Sequence, residues 1–227
     1  MVAIFVALMF VSLVLLDLGL VKWRAWREPS RQVQGAKVPS FAAGLRGWCE
    51  LPERIYLSPG HAWFRPDPTG RMEVGGDAFL AHAVGKVERI VLPKAGEQVK
   101  AGQPLFRLEV QGRSLEVSAA IGGQVLAVNS RLARHLEWLK TDPYHKGWIC
   151  YLAPLSGDEK TLPCGQKATR WLEKEVNRLR EFLSLRSTPD LALGLTSPDG
   201  GMPAVGCLRE LDASAWAAFE AEFLRCH

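Results

Sequence analysis

Lysine is absent from a long central stretch of this chain, since none occurs between Lys100 and Lys140. Cysteine is scarce as well, with five residues that form no Cys-x-x-Cys pair and no His/Cys cluster of metal spacing. They are Cys49, Cys150, Cys164, Cys207 and Cys226. Such an odd, scattered set argues against a disulfide framework and against a zinc site. We expect reduced thiols and no metal ligands.

An excess of charge of one sign is also missing. The chain has 28 Lys+Arg against 24 Asp+Glu, a formal net charge of +4. This mild balance gives no indication of nucleic-acid binding. A phosphate-binding loop is missing too, because the glycine-containing turn Ser197–Gly201 lacks the Lys-Ser/Thr ending that such loops carry.

A long apolar segment is present at the N-terminus, where residues 2–21 are almost all apolar. Twenty helical residues at roughly 1.5 Å each reach about 30 Å, the thickness of the hydrocarbon core of a bilayer. A cleaved signal peptide is the alternative, but the segment has no basic n-region and no convincing cleavage site follows it. We therefore predict a transmembrane anchor over residues 1–22, with the bilayer as a partner through residues 2–21.

Basic residues follow this segment at Lys22, Arg24, Arg27 and Arg31, whereas its N-terminal side has no side-chain cation. The positive-inside rule then places the rest of the chain in the cytoplasm. Residues 23–50 are polar, with prolines and several glycines, and predict a tether. The expected localisation is the cytoplasmic (inner) membrane, as a single-pass protein with its soluble domain in the cytoplasm.

Short runs of alternating apolar and polar residues recur after Leu51, separated by turn residues. The runs are Ala62–Arg65, Arg71–Val74, Val87–Val91, Leu105–Val110 and Leu115–Ser118. Many brief strands at close spacing predict a β-sandwich or a small barrel. The residues Arg131–Leu139 have helical spacing and precede Asp142-Pro143, which predicts a short helix that ends there.

A series of motifs runs through this part of the chain. They are His61-Ala62-Trp63, Val84-Gly85-Lys86-Val87, Leu92 to Gly102, Gly123-Gln124-Val125 with Asn129, and Asp142 to Trp148. The series resembles the H protein of glycine cleavage, which has His-Glu-Trp, Leu-Gly-Asp-Ile, Leu-Pro-x-x-Gly-x-x-Val-x-x-Gly, Gly-Glu-Val and Asp-Pro-Tyr-x-x-Gly-Trp in the same order. The resemblance extends from Tyr56 to Leu155.

The resemblance implies a mainly β fold, the barrel-sandwich hybrid of lipoyl and biotinyl domains, over residues 51–156. It also implies a carrier lysine, and counting back from Gly123 through the family motif puts that position at Gly112. Glycine has no amine, and the neighbouring Arg113 is a poor acyl acceptor because its guanidinium stays protonated. We therefore expect no lipoate. Gln111-Gly112 instead predicts a tight hairpin turn.

His61 begins one of these motifs and is a candidate for catalysis. The sequence positions no partner carboxylate or cysteine nucleophile beside it, and the family that it resembles does no chemistry with this histidine. We interpret His61 as structural and predict no catalytic residue, no cofactor and no enzymatic activity.

A helical extension is predicted over residues 157–227, beyond the sandwich. Its first helix spans Ala168–Leu185, with apolar residues on one face and charged residues opposite. The charged set is Lys174, Glu175, Arg178 and Glu181. Asp212 is predicted to cap a last helix that carries an apolar stripe. The stripe is formed by Trp216, Phe219, Phe223 and Leu224. Packing on the sandwich and binding to a partner remain open for these helices.

The predicted fold class is therefore a lipoyl-domain-like barrel-sandwich hybrid with a short helix, preceded by one transmembrane helix and followed by a small α-helical extension. The leading hypothesis is a membrane-anchored, non-lipoylated H-protein-like domain that docks protein partners through its sandwich or C-terminal helices, as a docking or assembly subunit of a membrane redox or transport complex. Two alternatives stay open. One is an acyl or lipoyl carrier related to glycine cleavage, and the other is a membrane-fusion adaptor of an efflux or secretion system.

Overall fold

Antiparallel strands and several helical elements build the described part of the chain. The computed structural model describes residues 45, 47–155, 161–186 and 202–225. All of these residues belong to one unit that spans Pro39–His227. The strands are β1 (Tyr56–Leu57), β2 (Ala62–Pro66), β3 (Met72–Gly76), β4 (Arg89–Val91), β5 (Gln98–Val99), β6 (Pro104–Val110), β7 (Arg113–Ser118), β8 (Gly123–Val128) and β9 (Trp148–Pro154). The helical elements include α1 (Ala78–Val84), a 3-10 turn (Ser130–Arg134), α2 (Trp138–Thr141), α3 (Gln166–Arg186), a second 3-10 turn (Cys207–Glu210), α4 (Ala213–Phe219) and a π-turn (Glu220–Leu224).

The strands form a six-stranded sheet in the order β1-β2-β3-β9-β8-β5 and a three-stranded sheet in the order β4-β6-β7. Every pairing between these strands is antiparallel. Two antiparallel sheets with a few helices fit the predicted barrel-sandwich hybrid. The strands predicted from alternation are confirmed as β2, β3, β4, β6 and β7.

Alternation along the β6–β7 hairpin shows why these residues form strands. Leu108 of β6 and Leu115 of β7 are buried and face each other in the pairing register. Arg107 and Glu116, also paired in register, lie on the outer face and form an ion pair. One face of the hairpin is therefore apolar and covers the core, while the other is charged and solvated.

The sandwich and the C-terminal helices share one hydrophobic core. Phe79 of α1, Phe182 of α3 and Phe223 of the π-turn lie together, with ring centroids 5.8 Å apart for Phe79 and Phe223 and 5.5 Å apart for Phe182 and Phe223. Phe219 of α4 stacks on Phe223 at 4.9 Å. Of the two possibilities left open for the C-terminal helices, packing on the sandwich is thus observed.

Helix α1 was not predicted, although its ends carry ordinary signals. Asp77 precedes it in an extended conformation, and its side chain accepts a hydrogen bond from the Leu80 amide. Gly85 follows it at φ +74°. An N-cap aspartate before an apolar run and a glycine after it are the start and stop signals of a helix.

The two C-terminal helices were predicted correctly in position. Helix α3 covers Gln166–Arg186 against the predicted Ala168–Leu185. Asp212 caps α4, accepting a hydrogen bond from the Ala215 amide at 2.8 Å. The predicted stripe on and after α4 is buried.

The single helix predicted over Arg131–Leu139 is wrong. The chain forms the 3-10 turn Ser130–Arg134, leaves helical geometry at His135, and starts α2 only at Trp138. Hydrogen bonds from His135 to Leu132 and from Trp138 to His135 close three-residue turns in place of a continuous α-helical ladder.

The transmembrane part of the predicted fold class is corrected. Within the described ranges, no helix is both long enough and apolar enough to cross a bilayer. Helix α3 has 21 residues, but its outer face is charged and its buried face packs on the core. The anchor predicted at residues 1–22 lies outside the described residues, as does most of the predicted tether. The single-pass inner-membrane localisation and the bilayer contact through residues 2–21 depended on such a helix and are withdrawn.

The β6–β7 hairpin closes in a two-residue turn. Val110 pairs with Arg113, which leaves Gln111 and Gly112 as the turn residues. Their φ angles are +52° and +71°, as a turn with two left-handed residues requires. A Cβ at Gly112 would meet no atom within 4 Å. Gly112 therefore occupies an open apex, as the sequence predicted for the turn.

Lysine at this apex should be tolerated. We expect Gly112→Lys to lower the free energy of unfolding by about 1 kcal/mol, because a Cβ is disfavoured at positive φ. Urea unfolding measures this value. Gly96→Lys is a matched control, since Gly96 also has a positive φ of +86° and a Cβ there would likewise meet no atom within 4 Å. A loss several-fold larger than that of the control would contradict an open apex.

Candidate functional site

The tip of the β6–β7 hairpin is held by the C-terminal segment of the same chain. With its amide oriented to satisfy both groups, Gln111 donates to the Arg209 carbonyl at 3.0 Å and accepts from the Arg209 guanidinium at 3.3 Å. Arg113 donates from Nη1 to the Leu211 carbonyl at 2.5 Å. The two residues that flank Gly112 are thus both bonded to the second 3-10 turn and its end.

Trp216 of α4 holds the same hairpin from its side. Its indole Nε1 donates to the Ser114 carbonyl at 3.3 Å, and the Arg113 guanidinium lies 5.4 Å from the indole centroid. The Trp216 side chain is buried, with 5% of the residue exposed. We call the contacts of Arg209, Leu211 and Trp216 with the hairpin tip the C-terminal clasp.

A second polar cluster is buried beneath α3. His61 is fully buried, adopts φ +59° and directs Nδ1 to the Asp77 carboxylate at 2.8 Å. Its Nε2 faces the Glu175 carboxylate at 3.9 Å, an ion-pair distance but too long for a hydrogen bond. Glu175 in turn pairs with Arg178 at 3.1 Å. This His61 cluster therefore links the β1–β2 turn, the start of α1 and the middle of α3.

The charges of the His61 cluster stabilise one another. Burial alone would lower the pKa of His61, but the Asp77 carboxylate and then Glu175 outweigh burial and leave the pKa raised from 6.5. Burial would raise the pKa of Glu175, but His61 and Arg178 outweigh it and leave the pKa lowered from 4.5. His61 is consequently protonated more readily than a free imidazole, because it lies between two carboxylates.

Sequence reasoning interpreted His61 as structural, which stays a prediction, and missed both of its partners in the buried cluster. Asp77 is detectable as the N-cap of α1, directly before an apolar run. Glu175 was assigned to the exposed face of its helix, yet it is 8% exposed. The sequence does not indicate that Glu175 is buried beside Val176. The helical period places Glu175 at the border between the apolar and the charged face of α3.

Three of the cysteines are buried thiols. Burial raises the pKa of the Cys49, Cys150 and Cys207 thiols to about 12, so they stay protonated. Cys49, Cys150, Cys164 and Cys207 are not disulfide-bonded, and Cys226 lies outside the described residues. No group of three or more His, Cys, Asp and Glu side chains in the described part of the chain could hold a metal ion.

Comparison with known proteins covers the sandwich and the start of α3. The family model described as "Glycine cleavage H-protein" matches residues 55–175. Glycine cleavage system H protein 2 of Aquifex aeolicus (strain VF5) is 30% identical over 133 residues, which cover 57% of this chain and 83% of the relative. The glycine cleavage system H protein of Halorhodospira halophila (strain DSM 244 / SL1) is 31% identical over 110 residues, with 48% and 85% covered.

Among solved structures, a glycine cleavage system H protein from Mycobacterium marinum matches with a TM-score of 0.47 and 24% identity, over 55% of this chain and 98% of that chain. The names of these relatives give no support to the predicted inner-membrane localisation. The C-terminal clasp, at residues 209–216, lies beyond the range that the family model matches.

Arg113 should hold the two sides of the C-terminal clasp together. Arg113→Ala removes the bond to Leu211 and the contact with Trp216, so we expect amide hydrogen exchange to rise several-fold in peptides from residues 207–219. Hydrogen–deuterium exchange of the full chain measures this. Arg107→Ala is the control, because Arg107 lies on the same hairpin but pairs with Glu116. Equal exchange in both variants would show that the clasp does not depend on Arg113.

The His61 cluster should make stability depend on pH. The contribution of His61, whose pKa is raised, is complete below its ordinary value of 6.5 and is lost as the pH rises through its folded value. The contribution of Glu175, whose pKa is lowered, is complete above 4.5 and is lost as the pH falls through its folded value. The contribution of this cluster to the free energy of unfolding should therefore be greatest between pH 4.5 and pH 6.5.

The substitution His61→Asn removes the titratable imidazole, and asparagine still tolerates the positive φ of this position. We expect it to cost about 3 kcal/mol near pH 5.5, as breaking a buried charge pair does, and to flatten the decline of stability toward alkaline pH. Glu175→Gln, of similar volume, should flatten the acidic side instead. Urea unfolding across this pH range distinguishes the two. An unchanged alkaline slope in His61→Asn would contradict the assignment.

Proposed function

We propose that this chain, which belongs to the glycine cleavage H-protein family, acts as a non-lipoylated and non-catalytic docking or assembly subunit that binds another protein. The observation that carries the proposal is the hairpin tip at Gln111 and Gly112, which has no amine and is bonded to the C-terminal segment. We further propose that Gly112 stands at the position of the family's carrier lysine, and that residues 51–156 and 157–227 are the sandwich and the extension.

Lipoate is implied by the family, and the residues present at the tip do not fit it. Attachment requires an amine on a long side chain, which neither Gln111 nor Gly112 provides. The lysines closest in sequence are Lys100, which follows β5, and Lys140 in α2. Neither belongs to the hairpin, so a shift of the motif by a few residues does not supply an acceptor.

The C-terminal clasp supports the same proposal on mechanical grounds. A carrier arm has to move between active sites, which needs a tip that is free of its own protein. Here Gln111, Arg113 and Ser114 each form a hydrogen bond with residues 209–216. A tip held in this way is poorly suited to present a mobile carrier arm.

A lipoate carrier in glycine cleavage is the second candidate, favoured by the family model and by the names of the relatives. It requires an acceptor that the hairpin lacks. The third alternative, a membrane-fusion adaptor, gains no support, because such adaptors insert a long helical hairpin between two half-motifs. In this chain β6 and β7 are joined by two residues.

Intact mass decides between the first two candidates. We expect the full chain, coexpressed with a lipoate ligase and supplied with lipoate, to keep the mass of its unmodified sequence, since the hairpin has no acceptor amine. A glycine cleavage H protein expressed in the same cells is the positive control and should gain one lipoyl group. A gain of one lipoyl group by this chain would overturn the non-carrier proposal.

A further inference from the structure

A groove of about 520 Å³ lies between the side chains of Trp138 and Trp148, on the outside of the sandwich. Trp138 belongs to α2, and Trp148 begins β9. Both side chains are partly exposed. We call this feature the tryptophan groove. Two partly exposed tryptophans that line a common space provide apolar surface of the kind that receives an anchoring side chain.

The rim of the tryptophan groove is basic. Arg131 and Lys146 line it, and both are exposed. None of the described residues that line the groove is an aspartate or a glutamate. Neither cation forms an ion pair within the part of the chain that the structure describes, although the Lys146 ammonium lies 6.0 Å from the Trp138 centroid. The groove therefore offers uncompensated positive charge beside apolar surface.

The carboxylates near the groove pair with histidines, one of which, His145, lines the groove. Asp142 is bonded to His145 at 2.9 Å, and Glu137 to His135 at 3.1 Å. His135 also stacks on Trp138 at 4.2 Å, with the two rings within 8° of parallel. These contacts hold one wall in place and leave the cations of the rim available to a ligand.

The opposite wall is rigid as well. Asn129 donates from Nδ2 to the carbonyls of Lys146 and Trp148, at 3.0 Å and 2.9 Å. A Cβ at Gly147 would lie 2.9 Å from the Trp138 carbonyl, so the loop packs closely on α2. The groove is thus formed before any ligand arrives, which lowers the entropy cost of binding.

We propose that the tryptophan groove binds a short acidic segment of a partner protein. An apolar side chain of that segment enters between the indoles, and carboxylates on either side of it meet Arg131 and Lys146. This inference rests on the proposed docking function and names the chemistry of its partner. Single-stranded nucleic acid is disfavoured, because two cations and a slot of this size do not form a basic track along a phosphate backbone.

Binding is measured by fluorescence anisotropy with a labelled peptide library in which Glu and Leu alternate in every register. A Lys-Leu library and a single-stranded oligonucleotide serve as competing probes. Indole N–H signals in a two-dimensional NMR spectrum, assigned with Trp138→Phe and Trp148→Phe, report where the peptide binds. We expect saturable binding of an acidic peptide that shifts both of these indole signals.

The variant Arg131→Glu/Lys146→Glu should weaken this binding tenfold or more, since both cations contact the ligand. The charge-matched control is Lys167→Glu/Lys174→Glu, which reverses two exposed lysines of α3 that do not line the groove. It should leave the affinity within about twofold.

Several results would overturn the inference. They are no saturable binding of any acidic peptide at millimolar concentration, equal loss in the control variant, and tighter groove-dependent binding of the Lys-Leu library or the oligonucleotide. The intact-mass experiment is independent of these results. A lipoyl group in that experiment would end the non-carrier proposal even if the groove binds acidic peptides, whereas a failure of peptide binding would end the groove inference and leave the non-carrier proposal standing.

Discussion

The hydrogen-bonded contact between the β6–β7 hairpin tip and residues 209–216 is the interaction on which the functional interpretation depends. Each of its hydrogen bonds contributes only about 1 kcal/mol, and a partly exposed cation–π contact adds a similar amount. Together they join residues about a hundred positions apart in the chain, such as Arg113 and Leu211. A hairpin tip with these bonds does not reorient freely, because movement would break them together.

The C-terminal clasp is effective because the segment that forms it is anchored in the core. Phe219 and Phe223 are buried and stack on each other. Phe223 also stacks on Phe79, and Phe182 packs edge-on against both Phe219 and Phe223. Arg178 of α3 adds a bond to the Glu222 carbonyl at 2.6 Å and lies over Phe223 at 4.5 Å. Since Arg178 also pairs with Glu175, the His61 cluster and the clasp are held by the same helix. Residues beyond the family match thus hold the β6–β7 hairpin in place.

Much of the fold was predictable from the sequence. The successes depend on residues close together in the chain, whereas most of the failures depend on contacts between distant residues. Alternation identified β6 and β7, and Gln111-Gly112 identified the turn between them, because turn chemistry and period-two burial depend on neighbours in sequence. Glu175 was misplaced because its burial depends on His61, more than a hundred residues earlier. The bonds of Arg113 and Trp216 across the clasp are equally non-local. The failure to predict α1 has another reason, since the local signals at its ends, Asp77 and Gly85, were present in the sequence but were overlooked.

The hairpin tip and the tryptophan groove differ in whether their polar groups have partners within the chain. The hairpin tip has satisfied its polar groups within the chain, whereas the tryptophan groove keeps Arg131 and Lys146 without an anionic partner among the described residues. Docking is therefore expected at the groove and not at the tip. The proposed position of the family's carrier lysine and the proposed docking groove are therefore separate places on the sandwich.

The most direct test of the central claim is a nuclear Overhauser measurement on the full chain in solution. The account predicts a cross-peak between the Trp216 indole N–H and the Ser114 backbone, together with restricted motion of the Gln111 and Gly112 amides on the fast timescale of NMR relaxation. Absence of that cross-peak, with amides at the tip as mobile as those of a free loop, would show that the hairpin is released and would contradict the account.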